Sequence, residues 1–371
     1  MKSKIIKVLI IASTKFELDG ITNVILNYYR AMDKADMQID FVIPNYISDD
    51  LKAELESFGS NIFKISNRTK YPISYISKLT KLVREKNYNI VHAHGNSCTL
   101  ALEMYSAKKG NAKVRIAHSH NTKTKYRIVH KLLRRIFDAS YTQAFACGQK
   151  AGEWLYNGKK FEIINNGIDI NKYKYNAEIR QKYRNKYNLN GKKVIGHIGY
   201  FCYQKNHEYL IDIFAELFKL DKNYRLILIG DGELRVNIEN KIKKLGLYDW
   251  VVFTGKTLDV PQFMQAMDMI VMPSRFEGLP LTLVEAQSAC LQCFVSDSVS
   301  KEVEITDLVQ FIALEKSPKE WANQINNSIP VNRGEIASVI YNKIVDEGFN
   351  ITDNAKIMKA LYNQYIEQVE N

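Results

Sequence analysis

Met269-Ile-Val-Met-Pro-Ser-Arg-Phe-Glu-Gly-Leu-Pro-Leu-Thr-Leu-Val-Glu285 reads as three consecutive pieces. Met269–Met272 is a short apolar run of the kind that forms a buried strand, and Pro273 stops it. Leu281–Ser288 has helical spacing, and Pro280 suits the first turn, where a missing N–H costs nothing. Strand, loop and helix in this order form half of a parallel α/β unit. The free N–H groups from Gly278 to Leu283 would then attract phosphate or sugar oxygens through hydrogen bonds and the helix dipole. Glu277 precedes the helix and Glu285 lies about two turns into it, so the two carboxylates fall roughly on one side at different depths. An acceptor-only carboxylate suits vicinal hydroxyls, as on a ribose or hexose; the plainer alternative for Glu285 is a local cap or ion pair.

The same alternation runs outward from this segment. Downstream, Cys293–Val295 and Phe311–Ala313 read as strands; upstream, Val251–Phe253, Leu226–Ile229 and Val194–Ile198 do so, with helices at Glu208–Leu220, Leu234–Leu245 and Val260–Ala266. Before a polar stretch from Asn165 to about Lys193, a second series is visible: Ile5–Ile11, Ile39–Ile43, Ile62–Ile65, Ile90–Ala93, Val114–Ala117, Thr142–Ala146 and Phe161–Ile164. Helical spacing separates these strands at Leu51–Phe58, Tyr75–Glu85 and Thr99–Lys108. Strands apolar on both faces and separated by helices imply parallel sheets covered on both sides. The fold class is therefore α/β, with two Rossmann-like doubly wound domains facing a cleft. The expected boundaries are 1–175, 176–350 and a C-terminal helix over 351–371 crossing back to the first domain. A chain of 371 residues is too long for one comfortable core, which fits this division. Ligands of open parallel sheets bind beyond the carboxyl ends of the strands.

Hydrophobic residues make up 46% and charged residues 25% of the chain, so a globular rather than disordered protein is expected. The start, Met1 to Ser13, reads as a buried strand rather than a secretion signal, because Lys7 interrupts a short apolar run and no small-residue cleavage site follows. No apolar run reaches the ~18 residues of a membrane span. Five scattered cysteines, Cys98, Cys147, Cys202, Cys290 and Cys293, do not form a disulfide framework and suit a reducing, cytoplasmic setting. The net charge of +12 sits entirely in the first half: residues 1–175 hold 29 Lys and Arg against 15 Asp and Glu. An anionic partner is implied there, with nucleic acid, an anionic membrane and a phosphorylated acceptor as candidates and a solvated surface as the alternative. Lys125–Phe137 reads as an amphipathic helix. Its apolar stripe of Val129, Leu132, Leu133, Ile136 and Phe137 is expected to pack in the core, leaving Lys125, Arg127, Lys131, Arg134 and Arg135 to face solvent, anionic lipid or a lipid diphosphate.

Five of the seven histidines, His92, His94, His118, His120 and His130, fall within residues 92–130. His-x-His spacing suits either a metal or simple strand alternation. No third or fourth ligand is evident from the spacing, so no metal is expected. There is no Asp-x-Asp to hold a divalent ion on a diphosphate. Gly230-Asp-Gly232 begins like a dinucleotide fingerprint, but Arg235 stands at the third glycine position, which argues against NAD. Cys290-Leu-Gln-Cys293 lacks a second pair and reads as core.

The chain resembles the retaining GT-B glycosyltransferases of family 4, particularly bacterial capsular and exopolysaccharide members. The resemblance rests on Glu277 and Glu285 as the family's Glu-x7-Glu signature. It extends to Val91–Gly95, Ile116–Thr122, Ile164–Asp169, Gln204–His207, Ile229–Glu233 and Phe253–Val260. It implies transfer of a sugar from a nucleotide-diphosphate donor, with UDP expected, to a saccharide or lipid-diphosphate-linked acceptor. The anomeric configuration would be retained, with a donor phosphate oxygen helping to deprotonate the acceptor. No metal, cofactor or nucleic acid is implied, and the enzyme would work in the cytoplasm or on the inner face of the plasma membrane.

By the same resemblance, Glu285 binds the donor ribose. Glu277 and the backbone of Gly278, Leu279 and Pro280, continuing through Leu281 and Leu283, hold the donor sugar. Phe253, Thr254 and Gly255 border the base. Lys205 meets the diphosphate, His120 reaches the transferred sugar with His118 as the weaker alternative, and His94 and His118 lie on the acceptor side. His120, Glu277 and Lys205 are the catalytic candidates. Gly20 survives from the family's paired glycines, with Asp19 in the other position. Tyr200 replaces the family's usual diphosphate-binding arginine, leaving the charge to Lys205 and the helix start, to Arg275, or to a weaker grip. An accessory subunit that binds a sugar nucleotide or a partner enzyme, or a hydrolase, phosphorylase or epimerase on this fold, remains the alternative reading.

Overall fold

The computed structural model describes residues 5–13, 16, 20–43, 46–65, 67–122, 124 and 126–370. Asp19, Glu17 and Lys125 lie outside the described residues. The chain forms two compact units, one of residues 1–167 with 351–371 and the other of residues 168–350.

The first unit is built on a parallel seven-stranded sheet in the order β3-β2-β1-β4-β5-β6-β7. Its strands are β1 (Ile6–Ala12), β2 (Met37–Val42), β3 (Ile62–Phe63), β4 (Ile90–Gly95), β5 (Val114–Ser119), β6 (Gln143–Ala146) and β7 (Glu162–Ile163). They alternate with α1 (Gly20–Ala31), α2 (Asp49–Ser57), α3 (Pro72–Lys86), α4 (Ala101–Lys109), α5 (Arg127–Asp138) and α6 (Gln149–Tyr156). Both faces of the sheet are apolar because both are covered: Val8, Leu9 and Ile11 are fully buried. The second unit begins with α7 (Ile170–Tyr173) and α8 (Ala177–Lys186) and carries a six-stranded sheet. These strands are β8 (Lys193–Ile198), β9 (Tyr224–Ile229), β10 (Val251–Gly255), β11 (Met269–Met272), β12 (Gln292–Ser296) and β13 (Val309–Ile312), in the parallel order β10-β9-β8-β11-β12-β13. Its remaining helices are α9 (His207–Leu220), α10 (Arg235–Lys244), α11 (Val260–Ala266), α12 (Leu281–Ser288), α13 (Pro318–Asn326) and α14 (Arg333–Asp346). The last helix, α15 (Ile351–Glu370), belongs to the first unit.

Every strand read from the sequence is present, with ends shifted by a few residues. The chain passes from one unit to the next at 167/168 rather than at 175/176. Ile168 and Ile170 are buried with Val284 and Leu308 of the second unit, so this stretch is second-unit core and not linker. The expectation for α5 is corrected. The residues facing the core are His130, Leu133, Arg134 and Phe137, an i, i+3, i+4, i+7 set. Ile128 (76% exposed), Leu132 (73%), Val129 and Ile136 face outward with Arg127, Lys131 and Arg135. Arg134 turns inward to donate to the Leu155 carbonyl and the His130 ring.

Each sheet reverses its strand order once, between β1 and β4 and between β8 and β11. The carboxyl ends of the strands flanking such a reversal leave a crevice where ligands bind. The segments that follow β8 and β11 are Gly199–Lys205 and Pro273–Pro280; His92 and His94 lie in β4, His118 in β5 and His120 directly after it.

Candidate active site

In the second unit, Lys205 and Glu277 meet across the β8/β11 reversal. Lys205 Nζ lies 2.7 Å from Glu277 Oε1, and Gln204 Nε2 donates to Glu277 Oε2 at 2.9 Å. Both charged side chains are largely buried, at 16% and 9% exposure. The backbone sets this pair: the Arg275 N–H donates to the Gln204 carbonyl at 2.8 Å, and Asn206, in the left-handed conformation, donates to the Pro273 carbonyl at 3.0 Å. Gly199 leaves Lys205 room to cross, since a Cβ there would stand 3.0 Å from Lys205 Cε and press the side chain aside. Gly230, at φ +132°, is needed for the same reason: its Cβ would fall 2.1 Å from the Gly199 carbonyl oxygen.

Helix α12 opens at Leu281 with Pro280 as its N-cap, one position earlier than the first-turn role expected from the sequence. No side chain caps this start. The Leu283 N–H is not free, because it donates to the Pro280 carbonyl at 2.9 Å. Open space surrounds Gly278, where an added Cβ would meet nothing within 4 Å. Leu279 and Leu281 pack partly on the core and Leu283 is fully buried, so only their backbone is available to a ligand. Leu281 and Thr282 thus begin a helix whose positive end is unclaimed by a side chain.

Glu285 is enclosed, and burial pushes its carboxyl up to about 7, against a hydrogen bond from Tyr173 that lowers it. A buried carboxylate is costly to ionise, and such a perturbed group in a crevice is a functional-site candidate. Tyr173 was not singled out in the sequence; it lies on α7, a single turn inside the polar stretch. Phe253, Thr254 and Gly255 end β10, where Gly255 takes φ +68° and Arg235 lies over the Phe253 ring at 5.8 Å. Tyr200 is half exposed and its hydroxyl donates to Glu233. Arg275 stacks on Tyr203 at 4.4 Å.

In the first unit, Gly20 opens α1 with nothing within 4 Å of its missing Cβ. His92, His94, His118 and His120 form a two-by-two array on one face of the sheet. His92 Nε2 lies 3.1 Å from His118 Nδ1, and His94 Nδ1 lies 2.9 Å from His120 Nε2. The two hydrogen-bonded pairs stack, His92 on His94 and His118 on His120, each with ring centroids 4.2 Å apart. Burial lowers all four: His92 and His120 to about 3, His94 and His118 well below the usual value. The expectation that no third ligand lies nearby is corrected, because nitrogens of His92, His94 and His118 lie within 4.8 Å of one another. Imidazole lone pairs lie in the ring plane, however, and each of the two ring–ring hydrogen bonds spends one of them on a neighbouring ring N–H. Neutral rings, mutually bonded, make a polar surface for hydroxyls more readily than a cation cage.

Two parallel-sheet Rossmann-like units, one with the Lys205–Glu277 pair and an uncapped helix start at its strand reversal, have the architecture of the GT-B class. A family model described as "Glycosyl transferases group 1" matches residues 179–330, and one described as "Glycosyltransferase Family 4" matches residues 18–172. The chain is 29% identical over 367 residues to the glycosyltransferase EpsF of Bacillus subtilis, covering 95% of each. It is 27% identical to an Escherichia coli UDP-Gal:alpha-D-GlcNAc-diphosphoundecaprenol alpha-1,3-galactosyltransferase, covering 93% of this chain and 94% of that one. Its fold matches that of Anabaena HepE, solved in complex with UDP, with a TM-score of 0.76, 18% identity and coverage of 97% and 100%. The chain belongs to the group 1 glycosyltransferases of the GT-B fold, and it is a glycosyltransferase.

Proposed function

We propose that the protein transfers a sugar from a UDP-sugar, with retention and without a metal, to a saccharide or lipid-linked saccharide in capsule or exopolysaccharide synthesis. The observation that carries this reading is the Lys205–Glu277–Gln204 cluster beside the uncapped start of α12. Lys205 and the α12 amides stabilise the diphosphate as the bond to the anomeric carbon breaks and negative charge builds on the leaving UDP. The acceptor hydroxyl bonds to that carbon, and its proton passes to a phosphate oxygen of the leaving group. Glu285 accepts from the ribose hydroxyls, Glu277 from the donor sugar, and Phe253–Gly255 border the uracil. His120 contacts the transferred sugar, and His94 and His118 contact the acceptor. The names of the relatives, one with a UDP-galactose donor and a diphosphoundecaprenol acceptor, favour these substrates. Free thiols at all five cysteines suit the cytoplasmic side.

A thermal-shift screen of nucleotide sugars tests the donor, because a ligand bound only by the folded state raises Tm. UDP-sugars should raise it and EDTA should change neither binding nor nucleotide release. Stabilisation by another nucleotide alone would remove the UDP assignment, and binding without turnover on any acceptor would favour the accessory-subunit reading.

Among the described residues no helix is long and apolar enough to cross a membrane. The outer face of α5, with Ile128, Val129, Leu132 and Ile136 flanked by Arg127, Lys131 and Arg135, is built to lie on an anionic lipid surface. Vesicles of one-third phosphatidylglycerol should sediment the protein at low salt. Ile128→Glu with Leu132→Glu should weaken that binding at least tenfold, each lost side chain being worth ~1.5–3 kcal/mol of burial. Equal sedimentation of the two proteins would remove α5 from the contact.

A further inference from the structure

Tyr362 of α15 reaches across to the histidine array, its hydroxyl 2.6 Å from His92 Nδ1. The phenol is buried, and burial holds its proton firmly, with its pKa well above the usual value. Among the described residues its hydrogen-bond partner is that imidazole nitrogen. A buried O–H must point at an acceptor, so Tyr362 donates to Nδ1. The single proton of neutral His92 then sits on Nε2 and is donated to His118 Nδ1, 3.1 Å away. The proton of His118 is thereby placed on Nε2.

That Nε2 is buried and has no partner among the described residues. An unpaired buried donor is costly, and each such group calls for an explanation. His118 lies at the carboxyl end of β5, where sheet ligands bind. We propose that Tyr362 and His92 are positioning residues that lock His118 as the Nε2–H tautomer, so that it donates a hydrogen bond to an oxygen of the saccharide. The ligand class rests on the sugar-transfer reading above; the tautomer lock does not. Stacking on His94 and His120, together with the edges of Phe145 against His92 and His118, holds the rings in register.

The relay is read directly by 15N NMR of the full chain labelled at histidine, with His118→Gln identifying the His118 signals. The wild type should show His118 protonated on Nε2 alone, and Tyr362→Phe, which removes one oxygen, should turn it into a mixture of tautomers. Protonation on Nδ1 in the wild type, or an unchanged signal in Tyr362→Phe, overturns the proposal. If Tyr362→Phe fails to fold, the wild-type assignment decides. The functional arm uses nucleotide release from UDP-glucose. Tyr362→Phe should slow it roughly tenfold. In a His118→Gln background, where the amide supplies a donor at the same position, the same change should matter less than about twofold. A merely structural role would slow both backgrounds equally and would defeat the proposal. Absence of any release by the wild type would count against the UDP-glucose donor, while the spectra still decide the lock.

Discussion

Replacing Lys205 by alanine should lower the rate of transfer by about 10²–10³-fold, the usual cost of losing one preorganised group at developing negative charge. Tyr200 is a neutral side chain and cannot replace the lost cation. The substitution should also destabilise the fold. Glu277 has a side chain only 9% exposed and would keep Gln204 but lose its cation. Breaking a buried pair from one side costs about 3–5 kcal/mol, largely from the stranded charge. Lys205→Ala combined with Glu277→Gln should therefore recover most of the stability and none of the rate, as read by denaturant melts and nucleotide release. Recovery of both together would make the pair a structural feature alone.

Replacing Glu285 by glutamine should separate binding from stability in the opposite direction. The carboxyl titrates near 7 in the folded chain, above its ordinary value of 4.5. The folded protein therefore holds this proton more tightly than the unfolded chain, and the associated stability is present below about pH 4.5 and is lost as pH rises through 7. Glutamine is neutral throughout, so the variant should melt a few degrees higher than the wild type at pH 8, about 2–4 °C per kcal/mol in a chain of this size. On the proposed reading, donor binding needs the ionised form, which would accept from both ribose hydroxyls. UDP affinity of the wild type should fall as pH drops from 8 to 6. Glu285→Gln should bind about 10–100-fold more weakly at pH 8, the value of a hydrogen bond to a charged group, and with little pH dependence. Equal affinity by calorimetry would remove Glu285 from the site.

Most strands were legible because they are short apolar runs, several of them closed by glycine, proline or asparagine, and burial of the central ones on both faces leaves little polar alternation to confuse them. Glu277, Gly278 and Glu285 were legible because the strand–loop–helix order around them is local. Contacts that depend on distant parts of the chain were not. Tyr173 meets Glu285 from a one-turn helix that polar composition conceals, and Tyr362 meets His92 across most of the sequence. The stripe expected on α5 holds Leu133 and Phe137, which do face the core, together with Val129, Leu132 and Ile136, which do not, because the outward face is as apolar as the inward one and periodicity cannot orient such a helix. Helix α13 carries a local signal that apolar periodicity alone does not show. Ser317 and Glu320 form a capping box with Pro318 at the first turn, which announces a helix start.

Hydrogen exchange of the full chain with and without saturating UDP gives the most direct view of the donor cradle. The expected result is protection of the amides of Leu281 and Thr282 at the start of α12, of Gly199–Lys205, of Phe253–Gly255 and of the turn carrying Tyr173. UDP binding that leaves these segments exchanging at their free rates, with protection appearing elsewhere, would contradict the assignment of the cradle.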